Sequence, residues 1–208
     1  MHDENKMQTV TIVLSAFIMA FSSAAAATDQ ASPPSPHNPD SYIPYMQTLI
    51  ETANREAGLP FKAMIIDNRD GSILCRGSNN SRSNPLLHGE VDAINSCAMR
   101  YGNDMAWQHA TLISTAEPCP MCTGATLWSR IPIIVYGSSI PTLIKKGWSQ
   151  INLRAYEIVK HSAIGKPQVI GGVLEAQTDA LFRQRGARTP SHSEHDALTH
   201  PAKSAEQK

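Results

Sequence analysis

Two short motifs constrain this chain more than anything else in it: His88-Gly89-Glu90, and Pro118-Cys119-Pro120-Met121-Cys122, with 28 residues between Glu90 and Cys119. Either half alone is weak, since Cys-x-x-Cys pairs occur both in redox proteins and in structural zinc sites. Together they offer three metal ligands, His88, Cys119 and Cys122, and a carboxylate beside one of them. Each motif stands where a helix is predicted to open, so the fold must bring two helix N-termini to one point. Cys119 and Cys122 are about one helical turn apart and can face that point together. Pro120 suits a first helical position, and the positive end of the helix stabilises thiolates. Three protein ligands leave the fourth tetrahedral position free, the arrangement of a catalytic zinc ion, whereas a structural site needs a fourth side chain.

The rest of the chain supplies the elements that could hold such a site. Ser41 caps a predicted helix running to about Ala57, with Pro44 in its first turn and Tyr45, Leu49 and Ile50 on one face. Residues 63–67 and 72–76 are short apolar runs around Asn68-Arg69-Asp70-Gly71 and read as a β-hairpin. A loop over 77–87 follows. Val91, Ile94 and Ala98 recur at helical spacing, which predicts a helix from His88 to about Arg100. Strands are expected at 110–114, 132–136 and 169–170, and helices at 120–129, 140–145, 153–161 and 173–185. A hairpin followed by alternating helices and strands implies the α/β class, a mixed sheet covered by helices on both faces.

The two ends of the chain read differently from this middle. After Lys6 comes an apolar run from Val10 to Phe21, then Ser22, Ser23 and four alanines to Ala27. That is the layout of a secretory signal peptide. The apolar run is short against the roughly 20 residues a membrane span requires. Residues 1–27 are therefore expected to be cleaved, with Met7 an alternative initiator, and the protein to be exported to a periplasm or secreted, without stable membrane insertion. Residues 28–40, with Pro33, Pro34, Pro36 and Pro39, form an expected linker. The domain is expected over 41–186. Residues 187–208 have few large apolar side chains and should form a mobile tail; no specific role is expected of its His192, His195 and His200.

Charge narrows the partners. Basic and acidic residues number 18 each, unlike the basic footprint of proteins that neutralise many phosphates. Nucleic acid is thus a disfavoured partner, and Lys145, Lys146 and Arg154 are read as solvated surface.

The chemistry follows from the motif. Zinc lowers the pKa of a water from 15.7 toward about 7. Glu90, two residues from a ligand, takes the proton, passes it to a ring nitrogen and helps protonate a departing amine. The combination of H-x-E with P-C-x-x-C is a signature of zinc deaminases, in which the glutamate is not a ligand.

Residues from about Leu59 to Arg185 resemble the cytidine deaminase-like superfamily, in particular the branch with guanine, cytosine and tRNA adenosine deaminases. The matching stretches are Pro60-Phe61-x-Ala63, Gly77-x-Asn79, His88-Gly89-Glu90, Glu117 to Cys122 with Gly124-Ala125, and Ser129-Arg130-Ile131. The resemblance implies a three-layer α/β/α fold with a mixed five-stranded sheet, one zinc per chain and a homodimer. It also implies substrate contacts by Asn79, by Phe61 as a pocket wall, and by backbone groups near Ala63 and Cys119. Lys62 departs from the glycine usual there, and the loop before His88 is short.

The expected activity is hydrolytic deamination of a small nucleobase, nucleoside or nucleotide, guanine- or cytosine-type first. A polynucleotide deaminase is the alternative, and a non-enzymatic Cys-x-x-Cys module a third that Glu90 argues against. Glu117 is read as a buried carboxylate bracing the cysteine loop, with substrate contact as its alternative, and Trp128 as either pocket or core. Asn79 has an alternative role in holding its own loop. Cys75 and Cys97 could pair in an exported protein, but small buried free thiols are the favoured reading.

Overall fold

The structure, a computed structural model, describes residues 33–35 and 37–183. The expected signal segment, residues 28–32 and 36 of the linker, and the tail lie outside these residues. A single 3-10 turn over Pro39–Tyr42, capped by Asn38 rather than by Ser41, leads into α1 (Ile43–Arg55). The first helical turn thus starts slightly before the expected Ser41, because the Asn38 carboxamide oxygen satisfies the Asp40 N–H at 3.1 Å.

The hairpin forms as β1 (Lys62–Asp67) and β2 (Ile73–Ser78), followed by α2 (Gly89–Tyr101), β3 (Ala110–Ala116), α3 (Pro120–Trp128) and β4 (Ile133–Ser138). Two short helices, α4 (Ile140–Lys145) and α5 (Ala155–His161), precede β5 (Gln168–Ile170) and α6 (Glu175–Leu181). The last helix is shorter than expected because Leu174 before it has a left-handed backbone and Phe182 after it is non-helical.

The sheet has the order β2-β1-β3-β4-β5. β1 runs antiparallel to β2 and β3, while β3, β4 and β5 are parallel. The mixed five-stranded sheet is therefore as expected, and its central strand β3 is buried at every position. Alternation along β1 divides the core: Met64 and Ile66 pack with Tyr45, Met46 and Leu49 of α1, whereas Ala63 and Ile65 pack with Ala93, Ile94 and Cys97 of α2. Helices thus cover both faces, and each fully buried Leu or Ile contributes about 1.5–3 kcal/mol.

One expectation is corrected. Cys75 and Cys97 form a disulfide joining β2 to α2. Both are buried, as a small hydrophobe would be, but the packing of α2 across the hairpin brings their Cα atoms to 5.6 Å, within bridging range.

Two glycines set how closely α2 approaches the hairpin. A Cβ on Gly77 would lie 2.2 Å from the Gly89 carbonyl oxygen and 2.3 Å from the Ala93 nitrogen, and one on Gly89 would lie 2.8 Å from the Phe61 carbonyl oxygen. Backbone meets backbone there, so the start of α2 has one possible position over the sheet.

Candidate active site

The two motifs meet at the C-terminal edge of β3. His88 caps α2 and Cys119 caps α3, both with extended backbones, so each side chain projects from a helix mouth. Pro120 occupies the first turn of α3 as expected. His88 Nδ1 lies 3.6 Å from the Sγ of Cys119 and 3.6 Å from that of Cys122, and the two sulfurs are 3.5 Å apart. A tetrahedral ion with Zn–S of about 2.3 Å and Zn–N of about 2.0 Å separates its ligand atoms by about 3.5–3.8 Å. The three residues therefore fit zinc without rearrangement, and they are the only such group among the described residues.

The site's electrostatics follow from this proximity. The hydrogen bond with Cys122 is the main cause that brings the Cys119 thiol down to about 4, against the opposing effect of burial. The same contact, reinforced by burial, pushes Cys122 up. His88 is raised, chiefly by its hydrogen bond with Cys119.

Glu90 lies in the first turn of α2 and is almost fully buried. Desolvation raises its carboxyl above the usual range. Its Oε1 accepts a hydrogen bond from Ser114 Oγ at 3.1 Å, so a hydroxyl of the central strand orients it. Sequence reading did not single out Ser114; its only signal was a polar residue inside an apolar strand.

These groups open into a cavity of about 160 Å3 lined by residues that include Phe61, Asn79, His88, Glu90 and Cys119. Phe61 meets the Trp148 ring at 5.2 Å and 81°, edge on, and the Phe182 ring at 4.9 Å. Asn79 Oδ1 accepts from the Ser81 N–H at 3.0 Å, so the amide holds its own loop, and the residue also lines the cavity. Ala63 is not among the lining residues; it is fully buried in β1 beneath α2. Trp128 lines neither cavity nor core, being 72% exposed. Ser81, Ser149 and Gln150 also line the cavity, and none of them belonged to a recognisable motif.

Lys62, where a glycine was usual, is buried in β1; its Nζ donates to Glu56 Oε2 at 2.5 Å and to Ser78 Oγ at 3.1 Å. It is not among the residues lining the cavity. Glu117 is buried and braces the cysteine loop as expected, its carboxylate accepting from the backbone N–H groups of Ile140 and Ala155. Its principal partner is Arg154, so that residue is not the solvated cation the charge pattern suggested. Lys146 likewise is engaged, donating to the Asp179 carbonyl.

Known proteins resemble this chain in sequence and fold. Residues 39–138 match the family model described as the "Cytidine and deoxycytidylate deaminase zinc-binding region". A tRNA-specific adenosine deaminase of Bacillus subtilis (strain 168) is 33% identical over 153 residues, 67% of this chain and 88% of the relative. Guanine deaminase of the same organism is 35% identical over 106 residues, 49% of this chain and 65% of the relative. The chain also spans a quarter of the length of a tRNA(Ile)-lysidine synthase of Deinococcus radiodurans, at 32% identity over 151 residues and 68% of this chain. A guanine deaminase structure from Nitrosomonas europaea superposes with a TM-score of 0.58 at 20% identity, covering 70% of this chain and 82% of that one, a likeness of fold. With its ligand triad, its buried glutamate and its five-stranded sheet, the chain belongs to the cytidine and deoxycytidylate deaminase family of zinc-dependent enzymes, hydrolases acting on C–N bonds.

Proposed function

We propose that this protein deaminates a free nucleobase of guanine or cytosine type, with its exocyclic amine beside a ring nitrogen. The cavity carries this reading. At about 160 Å3 it is smaller than the roughly 300–1,000 Å3 pockets of drug-sized ligands. Its wall is aromatic, its rim carries the neutral amides of Asn79 and Gln150, and no Lys or Arg lines it. The acidic residues lining it are Glu90 and Glu117, the second already paired with Arg154, and apart from the ligand His88 the lining offers no cationic side chain to hold a nucleotide's phosphate.

The chain's own residues divide the work. Phe61 and Trp148 pack against a flat ring. The Asn79 amide NH2 donates to a ring carbonyl. His88, Cys119 and Cys122 would hold a zinc ion, which would supply the lowered pKa of the attacking water. Glu90 takes a proton from the attacking water as its oxygen bonds to the amine-bearing carbon, and hands that proton to the ring nitrogen next to that carbon. Glu90 then moves the proton of the added hydroxyl to the amine, the carbonyl forms as the C–N bond breaks with its electron pair on nitrogen, and one water is consumed as ammonia leaves. Burial suits Glu90 to this cycle by raising its pKa toward the working range of a group that must both take and give a proton.

A second reading, deamination of adenosine in a polynucleotide, is favoured by the likeness to the Bacillus subtilis tRNA-specific enzyme. Ammonia release from guanine, cytosine, adenine, their nucleosides, single-stranded oligonucleotides and a tRNA anticodon arm separates the two. Turnover of a free base supports the first. Turnover of the polynucleotides with silence on every small molecule replaces it with the second.

We also propose that the protein works outside the cytoplasm. The signal-like pattern of residues 1–27 and the Cys75–Cys97 disulfide support this, since such bonds persist in oxidising compartments. Fractionation of cells expressing the full chain tests it: cytoplasmic protein with Cys75 and Cys97 reduced overturns the proposal.

A further inference from the structure

Glu117 is the point at which three parts of the site are joined. It sits at the end of β3, two residues before the ligand Cys119, and its N–H donates to the Ser138 carbonyl at 2.8 Å, extending the β3/β4 pairing. Its side chain accepts four hydrogen bonds. Ile140 N–H, opening α4, donates to Oε2 at 2.9 Å, and Ala155 N–H, opening α5, donates to Oε1 at 3.0 Å. Arg154 Nε donates to both oxygens, at 2.8 and 2.6 Å. The same guanidinium reaches Tyr136 OH on β4 through Nη2 at 2.8 Å.

The segment between those two helix starts carries Trp148, Ser149 and Gln150, which form one side of the cavity. Helix N-termini have unsatisfied donors that need a partner, and here both ends of one cavity-lining segment use the same buried carboxylate. Fork geometry makes arginine the side chain that can grip a carboxylate and a neighbouring hydroxyl together.

We propose that Arg154 is a positioning residue for the reaction: through Glu117 it holds the Trp148–Gln150 wall against the base in fixed relation to the cysteine ligand loop. It touches neither substrate nor metal. This inference rests on the reading of the cavity as a base-binding site, and it predicts that loss of the arginine disturbs binding more than chemistry. The wall contacts the base in ground state and transition state alike, so its displacement appears mainly in KM.

The test uses the full zinc-loaded protein with Trp107 and Trp128 replaced by Phe, leaving Trp148 as the one tryptophan. In Arg154→Met, acrylamide quenching of Trp148 should rise by about twofold or more with zinc retained, and KM for the turned-over base should rise by about fivefold or more while kcat falls less than about threefold. Breaking a buried pair is costly, so Arg154→Lys is the companion variant. It keeps a charge beside Glu117 but cannot hold the carboxylate and Tyr136 in one fork, and should show the same changes at smaller amplitude. Unchanged quenching together with unchanged KM in folded Arg154→Met, or in Arg154→Lys where the first does not fold, overturns the proposal; so does a loss confined to kcat. Quenching needs no substrate. If the wild type turns over no base, the functional reading falls, and the quenching comparison alone decides the role of Arg154.

Discussion

Ser114 Oγ donates to Glu90 Oε1 at 3.1 Å, tying the buried carboxyl at the mouth of α2 to the buried central strand β3. The same hydroxyl oxygen accepts from the Ala116 N–H at 3.4 Å, which fixes the rotamer that makes the donation possible. Glu90→Gln should keep about one zinc per chain and lose most turnover, since the amide cannot carry a proton. Ser114→Ala should retain zinc and KM but lower kcat by about three- to tenfold, the loss of one orienting hydrogen bond. Steady-state kinetics with metal analysis checks both; full activity in Glu90→Gln removes the glutamate from the mechanism.

Zinc uptake should release protons in a pH-dependent number. Cys119, at about 4, is already ionised at neutral pH and releases none. Cys122, whose pKa is raised, releases one, and His88, also raised, releases a fraction that shrinks as pH rises through its pKa. Binding at pH 7 should therefore release about one to two protons, and affinity should weaken as pH falls. Calorimetric titration in two buffers of different ionisation heat measures the number. Zero protons, or tighter binding on acidification, contradicts the ligand assignment.

Gly77 and Gly124 should respond in opposite directions to alanine. The new Cβ at Gly77 meets backbone atoms of α2 at 2.2 and 2.3 Å, which cannot swing aside. Gly77→Ala should cost about 3 kcal/mol and displace the helix that carries Glu90, lowering activity with it. Gly124 lies within α3 with nothing inside 4 Å of a Cβ, so Gly124→Ala should be neutral or stabilise by about 0.5–1 kcal/mol. Denaturant unfolding of the two variants separates close approach from mere flexibility.

The disulfide should contribute to stability more than to chemistry. Cys75 and Cys97 are 22 residues apart, and closing a loop of that size in the unfolded chain corresponds to about 3 kcal/mol. The Cys75→Ala/Cys97→Ala pair should shift the urea midpoint accordingly and leave zinc content unchanged. A variant as stable as wild type would show that the packing of α2 on the hairpin suffices.

The motif residues were legible because each depends on local rules: a helix that opens with Pro120 places Cys119 and Cys122 one turn apart whatever surrounds it. Element order was legible for the same reason, through the alternation of strand and helix periods. The helix mouth at His88 was also visible, although its boundary moved by one residue.

Other features needed the packed molecule. Arg154 reads as surface charge in the chain, and only the convergence of β3, α4 and α5 on Glu117 shows otherwise. The Trp148–Gln150 wall has no motif because any side chains of suitable shape can line a cavity. Trp128, two turns beyond Cys122, has a helical phase that leaves it 72% exposed.

The sequence by itself determined the reaction type, because zinc ligation and proton transfer require particular atoms at particular spacings. Tertiary structure decided the cysteine pairing, the hydroxyl bonded to Glu90 and the wall of the cavity. Those depend on contacts between residues distant in the chain, whose partners are chosen by how helices seat on the sheet and not by any local pattern.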